Sequence, residues 1–288
     1  MSISEKVTIK PYEQLTYSDD FMFGVTMSDM ELCHDVLECL LQFSIGDLEE
    51  VEAQKEIRHT SGGKPIRLDI YTRSDSAIYD TEIQNKNKKS INKLELPKRT
   101  RFYQALIDTD YLDRGEMYDS LPDSYILFIC TFDPFGQNRA LYSFVEQCLE
   151  VPGLVLEDGT ERRFYNCTYD GDDVPEAVKR FYRYVATGEA TDELTSRIDE
   201  AVMVARKREE WKSEYMRESV IMQQMRVAGL EEGRAEGREI GLEEGRAEGR
   251  AEGRAEERMN TERERKRADI AEAKLAEAEA KLRAAGLA

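Results

Sequence analysis

A mixed α/β domain followed by a charged helical tail is the architecture the sequence predicts, and three observations predict it. Residues 66–84 hold two runs of alternating apolar and polar side chains separated by a turn, the pattern of a β-hairpin. Tyr125 to Phe132 is an apolar run of the kind found in a strand buried on both faces. From Gly229 to Gly253 glycine recurs at every fourth position among glutamate, arginine and alanine. Residues 226–288 contain no Phe, Tyr or Trp, so the chain divides into a globular body (1–190), a charged helical extension (191–227) and a tail (228–288).

The elements follow in order. Cys33, Val36, Leu37, Leu40 and Leu41 recur at spacings of three and four, which predicts a helix over 29–43 capped by Asp29. Val51–Ile57 reads as a first strand in which Gln54, Lys55 and Glu56 break the alternation, and Ser61-Gly62-Gly63 as a turn. In the hairpin, Ile66, Leu68 and Ile70 alternate with Arg67, Asp69 and Tyr71, then Ile78, Asp80, Glu82 and Gln84 share one parity. Pro97 opens a helix reaching about Asp110, with Phe102, Leu106 and Ile107 inward and Tyr103 alongside. Arg162–Thr168 is a further strand. Pro175–Ala186 is a helix with Phe181 and Tyr184 or Val185 inward and Gly188 beyond its end. One long helix is expected from Glu193 to about Val227, carrying Ile198, Val202, Trp211 and Tyr215.

Composition removes whole classes of chemistry. Only two histidines occur, His34 and His59, and neither sits in a supporting motif, so a metallohydrolase built on two or three imidazoles is nearly ruled out. The five cysteines form no CxxC pair, so neither a disulfide framework nor a zinc site is indicated, and a reducing cytoplasm is expected. No apolar run is long enough to span a membrane, and the first residues lack the apolar region of an export signal. What remains for hydrolysis is carboxylates and a hard cation. The net charge of −18 opposes broad nucleic-acid binding, yet residues 84–101 hold seven basic side chains against the single acid Glu95, a local charge of +6.

With a loop of Asp75-Ser76 and Ser74 facing Ala77, Asp69 lies directly opposite Glu82 on the same face, with Cβ atoms about 5 Å apart. A three-residue loop would put the two on opposite faces. The apolar residues of the first hairpin strand fall on the other face, so the acids are expected on an exposed polar surface, where removing one costs little stability. Two carboxylates this close repel unless a cation lies between them, and magnesium suits such a pair, with Asp80 as a possible third acid. The competing reading is a solvated hairpin whose acids pair with lysines.

Asp69, the triplet Glu82-Ile83-Gln84 and a basic helix with Arg99, Arg101 and Tyr103 resemble the Rpn-type recombination-promoting nucleases, the PD-(D/E)XK nuclease family transposases. The opening Ser18-Asp19-Asp20-Phe21-Met22-Phe23 and the segment Gly115-Glu116-Met117-Tyr118 before Tyr125-Ile126-Leu127 resemble the same family; the resemblance covers roughly residues 15–225, and the late glycine repeat resembles the family in style only. The resemblance implies a restriction-endonuclease-like core, a mixed sheet flanked by helices. It implies that Asp69 and Glu82 hold Mg2+ or another hard divalent cation, assisted by the Ile83 carbonyl. The family motif has lysine where this chain has Gln84, which can orient water but carries no charge. Lys86 is the first candidate to supply that charge in catalysis, then Arg99 and Arg101. Leu68 stands where the motif has proline. Asp20, Glu31 and Asp35 are all candidates for an additional acid from the first helix. Lys88, Lys89, Lys93, Arg99 and Arg101 would bind DNA through its phosphates, which positions it without reading sequence.

The implied function is a magnesium-dependent DNA endonuclease linked to recombination or mobile elements. The alternative is a catalytically silent relative acting as an oligomeric DNA-binding or interaction module. A ribonuclease-H-type carboxylate triad is disfavoured, since its acids usually stand much farther apart than the thirteen-residue interval from Asp69 to Glu82. In the tail, a helix over 244–254 stacks Arg246, Arg250 and Arg254 in one column and Glu244, Glu248 and Glu252 in another. Like charges at this spacing destabilise a lone helix, and each glycine costs about 1 kcal/mol relative to alanine. The repeat is therefore expected to fray alone. An antiparallel copy would pair the columns, making the chain a homo-oligomer through its tail; a flexible spacer is the other expectation.

Overall fold

The computed structural model describes residues 9–58, 64–85 and 95–284. Its centre is a six-stranded mixed sheet in the order β1-β2-β3-β4-β6-β5. The strands are β1 (Leu48–Ile57), β2 (Ile66–Ser74), β3 (Ala77–Gln84), β4 (Asp123–Cys130), β5 (Leu141–Phe144) and β6 (Thr160–Asn166). β1, β2 and β3 form an antiparallel meander, β4 and β6 continue in parallel, and β5 closes the far edge antiparallel to β6. The helices are α1 (Asp20–Met27), α2 (Met30–Leu41), α3 (Glu95–Tyr111), α4 (Glu176–Thr187), α5 (Glu193–Arg206) and α6 (Glu209–Ala284).

Two hydrophobic clusters sandwich the sheet. Tyr79, Ile83, Leu127 and Ile129 join residues of α1, α2, α4 and α5 in the larger one. Ile78, Ile126, Phe128 and Phe164 join Leu96, Tyr103, Leu106 and Ile107 of α3 in the smaller. Alternate residues of β3 and β4 thus enter opposite cores, so the strands between are covered on both faces. All eight residues of β3 are buried. The polar parity of the hairpin, expected on an exposed surface, instead lies in the interior.

Local chemistry accounts for the helix ends. Asp29 caps α2 by accepting the Leu32 N–H at 2.9 Å, and Gly188 ends α4 with φ 76°, a value that favours glycine. Tyr184 and Val185 are both inward, with Phe181. On α3 the buried stripe runs through Leu96, Thr100, Tyr103 and Ile107, while Phe102 is 40% exposed, contrary to expectation. Leu106 and Ile107 are inward as expected, and the polar Thr100 and Gln104 complete the stripe in place of Phe102. The predicted long helix from Glu193 is two helices that break at Lys207–Arg208. The Ala205 carbonyl there accepts the buried Tyr12 hydroxyl at 2.7 Å, and Arg206 donates to the Leu15 carbonyl, so the N-terminal segment helps satisfy the end of α5.

The chain divides into two compact units, Met1–Glu218 and Ser219–Ala288. The glycine repeat, expected to fray, is helical throughout as part of α6. Three good helix formers separate most of its glycines, and Arg238 and Arg254 donate to the carbonyls of Arg234 and Arg250 one turn back. Among the described residues no helix is long and apolar enough to cross a membrane.

Candidate active site

The hairpin turn is Asp75-Ser76, and the pairing from Arg73↔Ile78 to Ile70↔Thr81 carries on to set Asp69 against Glu82. At that point side chains replace the backbone ladder. The Asp69 N–H donates to Glu82 Oε1 at 2.9 Å, and the Ile83 N–H donates to Asp69 Oδ2 at 3.1 Å. The other edge of β3 is paired with β4 along its full length, which fixes Glu82 from behind. Across from Asp69 on β1 stands Gln54 with φ 59°, a left-handed conformation rare in a strand. The side-chain alternation of β2 reverses here. Ile66 and Leu68 enter the α3-side core, whereas Ile70 enters the opposite one. The expectation that all three share a face away from Asp69 is thereby corrected, and the cause is the local break in the ladder.

The acids are buried, contrary to the expected solvated surface: Asp69 is 8% exposed, Glu82 3% and Asp80 0%. Burial, then the Glu82 and Asp20 charges, pushes the Asp69 carboxyl well above the usual range. Burial and the Asp69 charge do the same to Asp80, and burial and the Asp80 charge push Glu82 up to about 8. Asp20, the first residue of α1, thus acts electrostatically on both Asp69 and Glu82. Asp35 is ion-paired with Arg197 of α5. Of the three first-helix acids, Asp20 is the one brought to the pair.

Among the described residues, Arg99 is the cation that reaches into this cluster. Arg99 of α3 donates from Nη2 to Glu82 Oε2 at 3.2 Å, and its guanidinium lies over the rings of Phe128 at 4.9 Å and Tyr103 at 5.5 Å. The aromatic faces hold its plane, so the charge is positioned as well as present. Arg101, two residues on, points to the exposed side of α3. Lys86, Lys88, Lys89 and Lys93 lie outside the described residues. Gln84 is buried, and its Nε2 donates to the Ile83 carbonyl at 2.9 Å, the same carbonyl expected to assist a cation. Phe128 and Tyr103 are site residues to which the sequence assigned no role: Tyr103 stands in the basic helix one turn after Arg99, and Phe128 lies within the apolar run of β4.

Among the described residues no group of three or more His, Cys, Asp and Glu side chains is spaced to hold a metal ion. The donor chemistry nonetheless fits a hard divalent cation. The three acids offer only oxygen, each is held protonated more strongly than usual, and both oxygens of Asp80 lack a hydrogen-bond partner. A positive charge relieves both the desolvation and the repulsion.

Residues 18–150 match the family model described as PD-(D/E)XK nuclease family transposase. That span runs from just before α1 to just beyond β5 and holds all the acids named above, Gln84 and Arg99. No curated protein matches the chain.

Proposed function

We propose, from the premise that residues 18–150 form a PD-(D/E)XK nuclease family transposase domain, that the protein is a magnesium-dependent DNA endonuclease serving recombination or mobile elements. The observation that carries this reading is the locked pair Asp69–Glu82 with Arg99 against it. Asp69 and Glu82 would hold the cation, with the Ile83 carbonyl available once Gln84 turns away. The bound cation supplies a Lewis acid for a phosphate oxygen and lowers the pKa of water. Gln84 orients the attacking water by hydrogen bonding. Arg99 stands in for the motif lysine, offsetting negative charge as water adds to phosphorus and the bridging P–O bond breaks. Lys86 is proposed to add to that charge. Lys88, Lys89, Lys93, Arg99 and Arg101 would grip phosphates and confine DNA to the one basic segment of an acidic chain. The unpaired thiols of all five cysteines accord with a cytoplasmic setting.

Nicking of supercoiled plasmid tests the reading. With Mg2+ the full-length chain is expected to relax plasmid, and with EDTA it is not. Asp69→Asn, which keeps the side-chain acceptor for the Ile83 N–H, is expected to be inactive. Undiminished cleavage by that variant would sink the assignment.

A second reading has its own observation. The Gln84 amide is bonded to the Ile83 carbonyl, and Glu82 accepts from Arg99 and the Asp69 N–H, so the Gln84 amide N–H and both Glu82 oxygens have protein partners without substrate. A silent relative that binds DNA as an oligomer would need no more. DNA retention without nicking across Mg2+, Mn2+ and Co2+ selects this reading.

Assembly through the tail is part of the proposal under either reading. In α6 the arginine and glutamate columns and exposed Leu230, Ile240 and Leu242 lack a covering partner among the described residues. An antiparallel second copy pairs the columns and offsets the glycine cost. Ending the chain near Val227 is expected to lower the mass measured by light scattering while leaving nicking per domain unchanged. Identical monomeric masses would favour a spacer.

A further inference from the structure

Two complementary orphans lie on the α3 side of the sheet. Asp80, fully buried on β3, has no hydrogen-bond partner for either carboxylate oxygen among the described residues. Arg99 Nε is buried and likewise unpartnered, because the guanidinium spends Nη2 on Glu82 and rests its face on aromatic rings. A buried carboxylate without a donor and a buried guanidinium N–H without an acceptor each cost about 1–3 kcal/mol or more. The two groups interact electrostatically across this space. Asp80 precedes Glu82 by two residues, so its side chain emerges on the same face one step along the strand.

The present pairing is incompatible with full commitment of Glu82 to a cation. A divalent ion on Glu82 would face the Arg99 charge through a shared carboxylate, and Arg99 would lose its acceptor. A buried arginine without a partner is strongly unfavourable. We infer that Asp80 is the second seat of the Arg99 guanidinium, taken up when Glu82 turns to a cation, which makes Asp80 a positioning residue for Arg99. In the cation-free protein Arg99 donates to Glu82. In the loaded protein it pairs with Asp80, keeping a fixed charge beside the reacting phosphate and restoring partners to both orphans. This rests on the reading of Asp69 and Glu82 as the cation site.

A double-mutant cycle on cation affinity tests the inference without reference to cleavage. Mn2+ binding to the full-length chain is measured by calorimetry for wild type, Asp80→Asn, Arg99→Gln and the double variant. The expected result is about tenfold weaker binding in Asp80→Asn and no further change when Asp80→Asn is added to Arg99→Gln. Equal weakening in both backgrounds would make Asp80 a direct ligand or a simple field effect, and an unweakened single variant would give it no role; either overturns the inference while leaving the cation site standing. No Mn2+ binding by wild type would overturn the site reading and the inference together. Should Asp80→Asn fail to fold, the wild-type chain labelled with 15N-arginine decides the matter. The Nε–H resonance that is missing in Arg99→Lys is expected to move on adding Mg2+, and an unmoved resonance while Mg2+ binds refutes the second seat.

Discussion

Glu82→Gln is expected to abolish metal-dependent cleavage and at the same time to stabilise the cation-free protein above pH 8. The two effects have one origin. The Glu82 carboxyl holds its proton up to about pH 8 in the fold against an ordinary value of 4.5, chiefly through burial and the Asp80 charge. The folded state therefore binds more protons than the unfolded chain across that window, and stability falls as pH rises from about 4.5 through about 8. The slope approaches roughly 1.4 kcal/mol per pH unit for one fully shifted group. Glutamine keeps an oxygen for the Asp69 N–H but has no charge to desolvate. Thermal melts in EDTA should show the wild type losing stability between pH 5 and 8.5, and the variant gaining on the order of 2 kcal/mol over it at the upper end. Mg2+ should recover the loss in the wild type alone. A variant less stable than wild type at pH 8.5 would mean the Arg99 contact outweighs the burial of the charge.

Arg99→Ala is expected to slow cleavage by about 10²–10³-fold, the usual effect of removing one preorganised group that stabilises transition-state charge. KM for DNA should change far less, since most phosphate contacts are proposed to come from the lysines of the basic segment. Mn2+ should bind more tightly, because a positive charge beside Glu82 has been removed. Lysine at the same position should recover part of the rate but not all, lacking the planar face that rests on Phe128 and Tyr103. Rate and cation affinity moving in opposite directions separate a catalytic charge from a structural one. A variant with unchanged kcat would transfer the motif lysine's part to another residue, Lys86 first.

The hairpin was readable because two alternating runs and a two-residue turn fix a register, and the register fixes which residues face each other. The depth of the site was not readable. Asp80, Glu82 and Gln84 look like a solvated parity until β4 on one side and α3 above are in place, and neither is local to them. The reversal of β2 at Asp69 depends on Gln54, fifteen residues earlier and in a conformation that glutamine seldom takes. Lys86 ranked ahead of Arg99 because strand parity can be counted along the chain, whereas the reach of a helix back over its own sheet cannot. The break before α6 follows from Tyr12 and Arg206, whose partners are some 190 residues away. Helix propensity alone carries no trace of such a cap.

The pair Asp69–Glu82 has a structural duty besides the proposed catalytic one. Each carboxylate closes a gap where the β2–β3 ladder has opened, taking a main-chain N–H that would otherwise lie buried and unmet. A relative without nuclease activity would still need an acceptor oxygen at each of these positions, from the acid or its amide. The presence of the two acids in a sequence is thus a mark of the architecture as much as of the chemistry. The residues released by loss of activity are those with no task in the fold, such as the exposed Arg101 on α3, and drift there rather than at the acids is what separates a retired lineage from a working one.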